Sequence, residues 1–189
     1  MTAGRFHDLV SSVTGPILLT GAHGFVGAAL AQEILKSRQD LVCIGRRLES
    51  PRVFPALKDC TRVLDLTRVE EVREAVFAVK PATVFHLAAY GGSPSQKLVS
   101  KILNVNVGGT ANLLEALQSM GGATLINAGS SSEYGFNCAG PSETAELRPN
   151  STYSISKAAV SSLLQDAHRR GSVHAISLRL YSVYGPSEA

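Results

Sequence analysis

The sequence predicts an α/β fold built on a doubly wound parallel sheet. Three observations carry this. Short apolar runs alternate with stretches of helical period from residue 17 to residue 180. The runs are rich in Val, Ile and Leu and nearly continuous, as strands covered on both faces require. Glycine, 17 residues of 189, often falls where a run ends and the chain must turn.

The elements follow in order. Ile17-Leu-Leu-Thr20 is a strand stopped by Gly21. Residues 25–37 place Val26, Leu30, Ile34 and Leu35 at helical spacing. Leu41 to Ile44 is a second strand, stopped by Gly45, and Thr61 to Leu66 a third. Residues 68–79 repeat Val69, Val72, Val76 and Val79, a helical stripe closed by Pro81. Thr83 to Ala89 is a fourth strand. Residues 98–118 read as one long helix, in which Gly108 and Gly109 mark close packing or a bend. Thr124 to Ala128 is a fifth strand, 154–169 a helix, and Val173 to Leu180 a sixth strand. Residues 1–16 form an N-terminal extension, and 17–189 a single domain. Pro and Gly cluster at 135–150, which reads as an ordered loop.

Composition narrows the function. Hydrophobic residues at 44% and charged residues at 17% argue against disorder. The net charge of +3, from 18 basic and 15 acidic residues, is too mild for a nucleic-acid partner. No stretch reaches the ~18 apolar residues of a membrane helix, and the N-terminus lacks the apolar run of a signal peptide. Cys43, Cys60 and Cys138 lie far apart in sequence, with no Cys-x-x-Cys. No metal site is expected, and a reducing, cytoplasmic location is favoured.

The first strand runs into Gly21-Ala-His-Gly24-Phe25-Val26-Gly27, and a helix follows. One glycine frees the turn, a second admits a pyrophosphate, and a third lets helix and strand pack closely. The helix N-terminus then offers free N–H groups and a partial positive charge. A dinucleotide is the expected ligand, with Gly21, Gly24, Phe25, Val26 and Gly27 around its phosphates. His23 reads as a filler or backbone cap. The second strand ends in Gly45-Arg46-Arg47, where an NAD site usually carries a carboxylate. Two guanidinium groups suit a phosphate instead, so NADP(H) is favoured over NAD(H). A solvated arginine pair is the plain alternative.

Tyr153-Ser-Ile-Ser-Lys157 puts a phenol and an ammonium on one helical face. A neighbouring Lys⁺ and an oxidised nicotinamide would favour the phenolate and lower its pKa. Such a group exchanges a proton with a carbinol or ketone while hydride moves.

The glycine triplet, the strand order and the Tyr-x-x-x-Lys pair together resemble the short-chain dehydrogenase/reductase superfamily. The resemblance is to its extended branch of nucleotide-sugar epimerases, dehydratases and reductases, and it covers nearly all of residues 17–186. It implies a Rossmann-like domain, with most of the smaller C-terminal substrate domain missing from a chain that stops at Ala189. Asp65-Leu66 sits where the family contacts the adenine ring. Leu87, Ala88 and Ala89, in His86-Leu-Ala-Ala89, lie beneath the cofactor. Asn106-Val-Gly108-Gly109-Thr110 resembles the Asn-x-x-Gly-Thr helix, and Asn106 would support the cofactor site, though a helix-bend role is equally open. Ser130-Ser-Ser-Glu-Tyr134-Gly135 resembles the catalytic strand end. By that match Ser130 is the catalytic hydroxyl, Tyr153 the acid/base, and Lys157 the residue that holds the ribose and tunes Tyr153.

Two departures matter. Family dehydratases carry Asp-Glu just after the hydroxyl, where this chain has Ser131 and Ser132, with Glu133 one step late. Epimerisation or keto-sugar reduction of a nucleotide sugar is therefore expected over dehydration. Ser182 replaces an Asn that touches the sugar diphosphate in many relatives. The alternatives are a non-catalytic dinucleotide sensor on the same fold, and an enzyme acting on a steroid or small ketone. The family's habit of pairing through helices 98–118 and 154–169 implies a homodimer.

Overall fold

The computed structural model describes residues 3–93, 95–137, 139–186 and 188, with side chains from Asp8 onward. Six parallel strands form one sheet: β1 (Ile17–Thr20), β2 (Leu41–Gly45), β3 (Thr61–Val63), β4 (Thr83–His86), β5 (Thr124–Ser130) and β6 (His174–Leu180). Their spatial order is β3-β2-β1-β4-β5-β6. β1 is central, with Ile17 opposite Leu41 on one side and Thr83 on the other. The order reverses between β1 and β4, so their C-terminal ends part and leave a crevice.

Side chains alternate between the two faces of the sheet. Leu18, Ile44, Val84 and Leu125 pack with Val72, Val76, Leu113, Leu117, Val160 and Leu164. Those residues come from α4 (Val69–Val79), α6 (Gly109–Met120) and α7 (Thr152–Arg169). Ile17, Leu19, Leu41 and Cys43 face the other way, against Ala28, Ala31 and Ile34 of α2 (Phe25–Leu35). Val10 and Leu57 complete that layer, from α1 (Ala3–Ser12) and α3 (Pro55–Asp59). Helices thus cover both faces, as the apolar runs predict. Each fully buried aliphatic side chain contributes about 1.5–3 kcal/mol.

The structure corrects several expected boundaries. The third strand ends at Val63, and the fourth at His86. In the first case the chain turns where the Asp65 carboxylate accepts from the Thr67 N–H and hydroxyl, at 3.0 and 2.9 Å. The fifth strand runs on to Ser130. The long helix divides into α5 (Val99–Leu103), a π-helical turn over Asn104–Gly108, and α6. There the backbone closes on its neighbour: a Cβ at Gly109 would stand 3.1 Å from Leu66 Cβ. Two helices, α1 and α3, lie outside the elements that periodicity predicts. Each is short, and among the described side chains buries a single one, Val10 in α1 and Leu57 in α3, although Pro55 at the first turn of α3 is a start signal. Within the nominal N-terminal extension, α1 is tied down by Arg38. Its guanidinium binds Asp40 at 2.9 and 2.7 Å and donates to the carbonyls of Val10 and Val13. Cys43 and Cys60, distant in sequence, lie 3.7 Å apart at sulfur as free thiols, while Cys138 is outside the described residues.

Candidate active site

At the end of β1 the backbone of Gly21 adopts φ +72°. A Cβ there would come within 2.6 Å of the Ala88 N atom, so glycine alone fits. Gly27 is as constrained, because its Cβ would stand 2.2 Å from the Gly21 carbonyl oxygen. Gly24 is the N-cap of α2, and no side chain caps that helix or puts an acid in its first turn. The positive end of α2, carrying Phe25, Val26 and Gly27, is therefore presented openly at the crevice.

A cleft of about 710 Å³ opens there. Gly21, Gly24, Arg46, Arg47, Asp65, Leu66, Leu87, Ala88 and Ala89 all line it. Phe25, Val26 and Gly27, expected around the phosphates, form the first turn of α2 and do not line the cleft. The cradle that a Cβ would fill, the open helix terminus and the basic pair fit a dinucleotide. Arg46 and Arg47 are both exposed. His23 braces their loop: its Nδ1 donates to the Arg47 carbonyl at 2.6 Å, and its Nε2 lies 3.2 Å from Thr61 Oγ1. The His23 ring also fills the space over Gly45, where a Cβ would approach to 2.4 Å. Sequence reasoning misses Glu49, which lines the cleft beside the arginines. Burial works against the Asp65 carboxylate, but the Thr67 hydrogen bonds and the Arg46 charge hold it below its ordinary range.

The second cluster lies where β5 meets α7. Ser151 and Ser154 cap α7 reciprocally, which fixes its first turn. Tyr153 and Lys157 follow on that helix, and Ser130 ends β5. The Ser130 hydroxyl, 2.8 Å from Ser132 Oγ, also lies near enough to the Tyr153 phenol to favour its ionised form. The buried Lys157 Nζ donates to the Ala128 carbonyl at 2.5 Å. Burial lowers Lys157 to about 8, against the opposing pull of the Glu133 charge. Burial raises the Tyr153 phenol, the Ser130 contact opposes this, and Glu133 adds to the rise. Without cofactor, desolvation of the phenol outweighs the Ser130 contact; the lowering expected from the sequence concerns the protein with an oxidised nicotinamide bound.

Asn106 links the two clusters without lining the cleft. It is buried in the π-helical turn, and its Oδ1 accepts from Tyr90 N–H at 2.7 Å. Its Nδ2 donates to the Tyr90 carbonyl and to Ser156 Oγ, each at 2.9 Å. Ser156 in turn donates to the Tyr153 carbonyl. The side chain is a brace between the loop after β4 and the helix that carries Tyr153. His86 supports the same loop from below, between Thr20 Oγ1 at 2.7 Å and Thr110 Oγ1 at 2.9 Å. Complete burial, with a smaller effect of Lys157, lowers it to about 3 and keeps it neutral. Tyr90 and Lys101, a cation–π pair at 4.8 Å, also line the cleft and carry no motif to reveal them.

Comparison with known proteins agrees with this geometry. The family model described as the NAD dependent epimerase/dehydratase family matches residues 17–189. A Bacillus subtilis protein called an uncharacterized UDP-glucose epimerase, YtcB, is 29% identical over 182 residues, or 91% of this chain and 58% of its own length. A Mycobacterium tuberculosis 3 beta-hydroxysteroid dehydrogenase/Delta 5-->4-isomerase is 33% identical over 138 residues, covering 69% of this chain and 36% of its own. The Thermus thermophilus UDP-glucose 4-epimerase, solved in complex with NAD, superposes with a TM-score of 0.79 at 28% identity. That match covers 92% of this chain and 57% of the epimerase. The chain thus spans little more than half the length of its epimerase relatives. With the glycine cradle, the strand order and the matched residues in agreement, this chain belongs to the NAD-dependent epimerase/dehydratase family of the extended short-chain dehydrogenases/reductases.

Proposed function

We propose that this chain is the cofactor-binding and catalytic part of an enzyme that epimerises a nucleotide sugar or reduces its keto form. The observation that carries the reading is the meeting of Ser130, Tyr153 and Lys157 beside a dinucleotide-shaped cleft. Ser130 donates to the substrate oxygen, and Tyr153 holds or moves the proton at that same oxygen. Lys157 supplies a buried positive charge next to the developing alkoxide. A bound nicotinamide supplies the hydride donor or acceptor. The UDP-glucose epimerases among the relatives favour a nucleotide sugar as substrate. Purified protein incubated with UDP-glucose, UDP-galactose and their keto-sugar counterparts, followed by NMR and by absorbance of reduced cofactor, tests this. Conversion of a nucleotide sugar is expected.

The identity to hydroxysteroid dehydrogenases favours one second reading, oxidation of a 3-hydroxysteroid. Turnover of steroids and not of sugars in the same assay decides for it, and tight cofactor binding with no turnover decides for a sensor. For the cofactor we favour NADP(H), because Arg46 and Arg47 border the cleft where the ribose phosphate would lie. The NAD complex of the Thermus epimerase and the nearby Glu49 are the counterweights. We further place the protein in the cytoplasm as a homodimer. Leu98, Val99, Leu103, Ile155 and Leu163 are exposed on the α5 and α7 surface, which suits helix pairing between copies.

A further inference from the structure

Glu133 lies in the 3₁₀ turn Ser131–Tyr134 that follows Ser130, and it has no solvent exposure. A buried carboxylate is costly unless it is paired and hydrogen-bonded. This one is fully engaged. Its Oε1 accepts from the Ser130 N–H at 2.8 Å. Its Oε2 accepts from Ser161 Oγ at 2.7 Å and from Arg179 Nε at 3.0 Å. Arg179 is itself fixed, donating to the Tyr134 hydroxyl and the Glu143 carbonyl at 2.9 Å each and lying over the Tyr134 ring. Gly129 makes the room, since a Cβ there would stand 2.8 Å from Glu133 Oε1.

One carboxylate therefore pins three elements together at the site: the end of β5 through Ser130, α7 through Ser161, and β6 through Arg179. Ser161 is one turn beyond Lys157 on the helix that also carries Tyr153. Both oxygens are engaged in this network, so the side chain is not free to act as the base of a dehydration.

We propose that Glu133, balanced by Arg179, is a positioning residue that fixes the Ser130 main chain against α7 and places a negative charge beneath Tyr153 and Lys157. This rests on the roles proposed above for Ser130, Tyr153 and Lys157. The charged and titratable groups around it are Tyr153 and Lys157 from α7, Arg179 from β6, and Tyr134 from its own turn. Its charge raises both Tyr153 and Lys157. Lys157 is thereby kept protonated against its burial, and the phenol keeps its proton until other charges arrive.

The test is a tyrosinate absorbance titration of the whole chain, without cofactor or substrate. Each protein is compared with its own Tyr153→Phe partner, so that the difference reports Tyr153 alone. Glu133→Gln should ionise Tyr153 about one pH unit lower than wild type, the scale on which a neighbouring charge acts. The double variant Glu133→Gln, Arg179→Met removes both members of the ion pair, guards against misfolding of the single variant, and should shift in the same direction. Ser161→Ala keeps the carboxylate and should leave the midpoint at its wild-type value. An unchanged midpoint in the folded Gln variants overturns the proposal. So does an equal fall in Ser161→Ala, which would mean that mere loosening of the site lowers the phenol. Because no turnover is needed, failure to convert nucleotide sugars leaves this result standing by itself.

Discussion

Around β1 and β2 the chain buries Ile17, Leu18, Leu19, Leu41 and Ile44, with helices on both faces of the sheet. Around β5 and β6 it buries Asn127, Glu133, Ser161 and Lys157 instead, and leaves Ile176 and Leu178 about half exposed, at 43% and 48%. The first region lines its cleft largely with backbone, glycine turns and a helix terminus, with two exposed arginines at the rim. The second acts with side chains, each of which needs a partner because it is out of water. The first region stands on a mainly aliphatic core whose few buried polar groups, Thr20, His86 and Thr110, satisfy one another. A catalytic site needs charges held at low dielectric, so the structure beneath it is polar and cross-linked.

The largest effect should break the second region while sparing the first. Tyr153→Phe keeps the ring and its packing but removes the proton carrier. Turnover should fall on the order of 10²–10⁴-fold, while cofactor affinity measured by calorimetry stays the same. Normal turnover in this variant would move the acid/base role elsewhere.

Next in size is the dry core. Leu18→Ala empties a fully buried position on β1 and should cost about 2–5 kcal/mol in denaturant unfolding. A loss well below about 1 kcal/mol would mean that the central strand is less tightly packed than its burial indicates.

The two regions should also separate by pH. His86 sits under the cofactor loop at about 3 and Lys157 in the catalytic cluster at about 8, both below their unfolded values near 6.5 and 10.4. In each case the unfolded chain binds more protons between the two values, so stability rises with pH across that window. Stability should climb from about pH 3 to 6.5 because of His86, and again from about pH 8 to 10.4 because of Lys157. Each contributes on the order of a few kcal/mol. Unfolding curves across pH check this: His86→Asn should flatten the acid limb alone, and Lys157→Met the alkaline limb alone. If either variant flattens both limbs, the two regions are not independent.

The smallest effect tests the rim of the first region. An Arg46→Ala, Arg47→Ala variant should weaken NADPH by about 1.5–3 kcal/mol and NADH hardly at all. Tighter NADH than NADPH binding in the parent protein would assign the loop to ribose hydroxyls, with Glu49 as their natural partner.

The amino-acid sequence by itself determined the sheet, its parallel sense and the phosphate turn. Those features are encoded locally: short apolar runs that stop at glycine and alternate with helical stretches fit covered strands, and the turn at Gly21, with φ +72°, calls for glycine. It also determined the candidates Ser130, Tyr153 and Lys157, through order and spacing along the chain. Tertiary structure alone decided what surrounds them. That Glu133 meets Arg179 across 46 positions, that Asn106 clamps Tyr90, and that burial lifts the Tyr153 phenol are long-range results. No periodicity announces them, because a side chain's partner and its solvent exposure depend on which strands and helices come to lie beside it. The division of helix 98–118 is a mixed case. Gly108 and Gly109 mark a bend or close packing in the sequence, but the neighbour that packs there, Leu66 against Gly109, lies more than forty residues away.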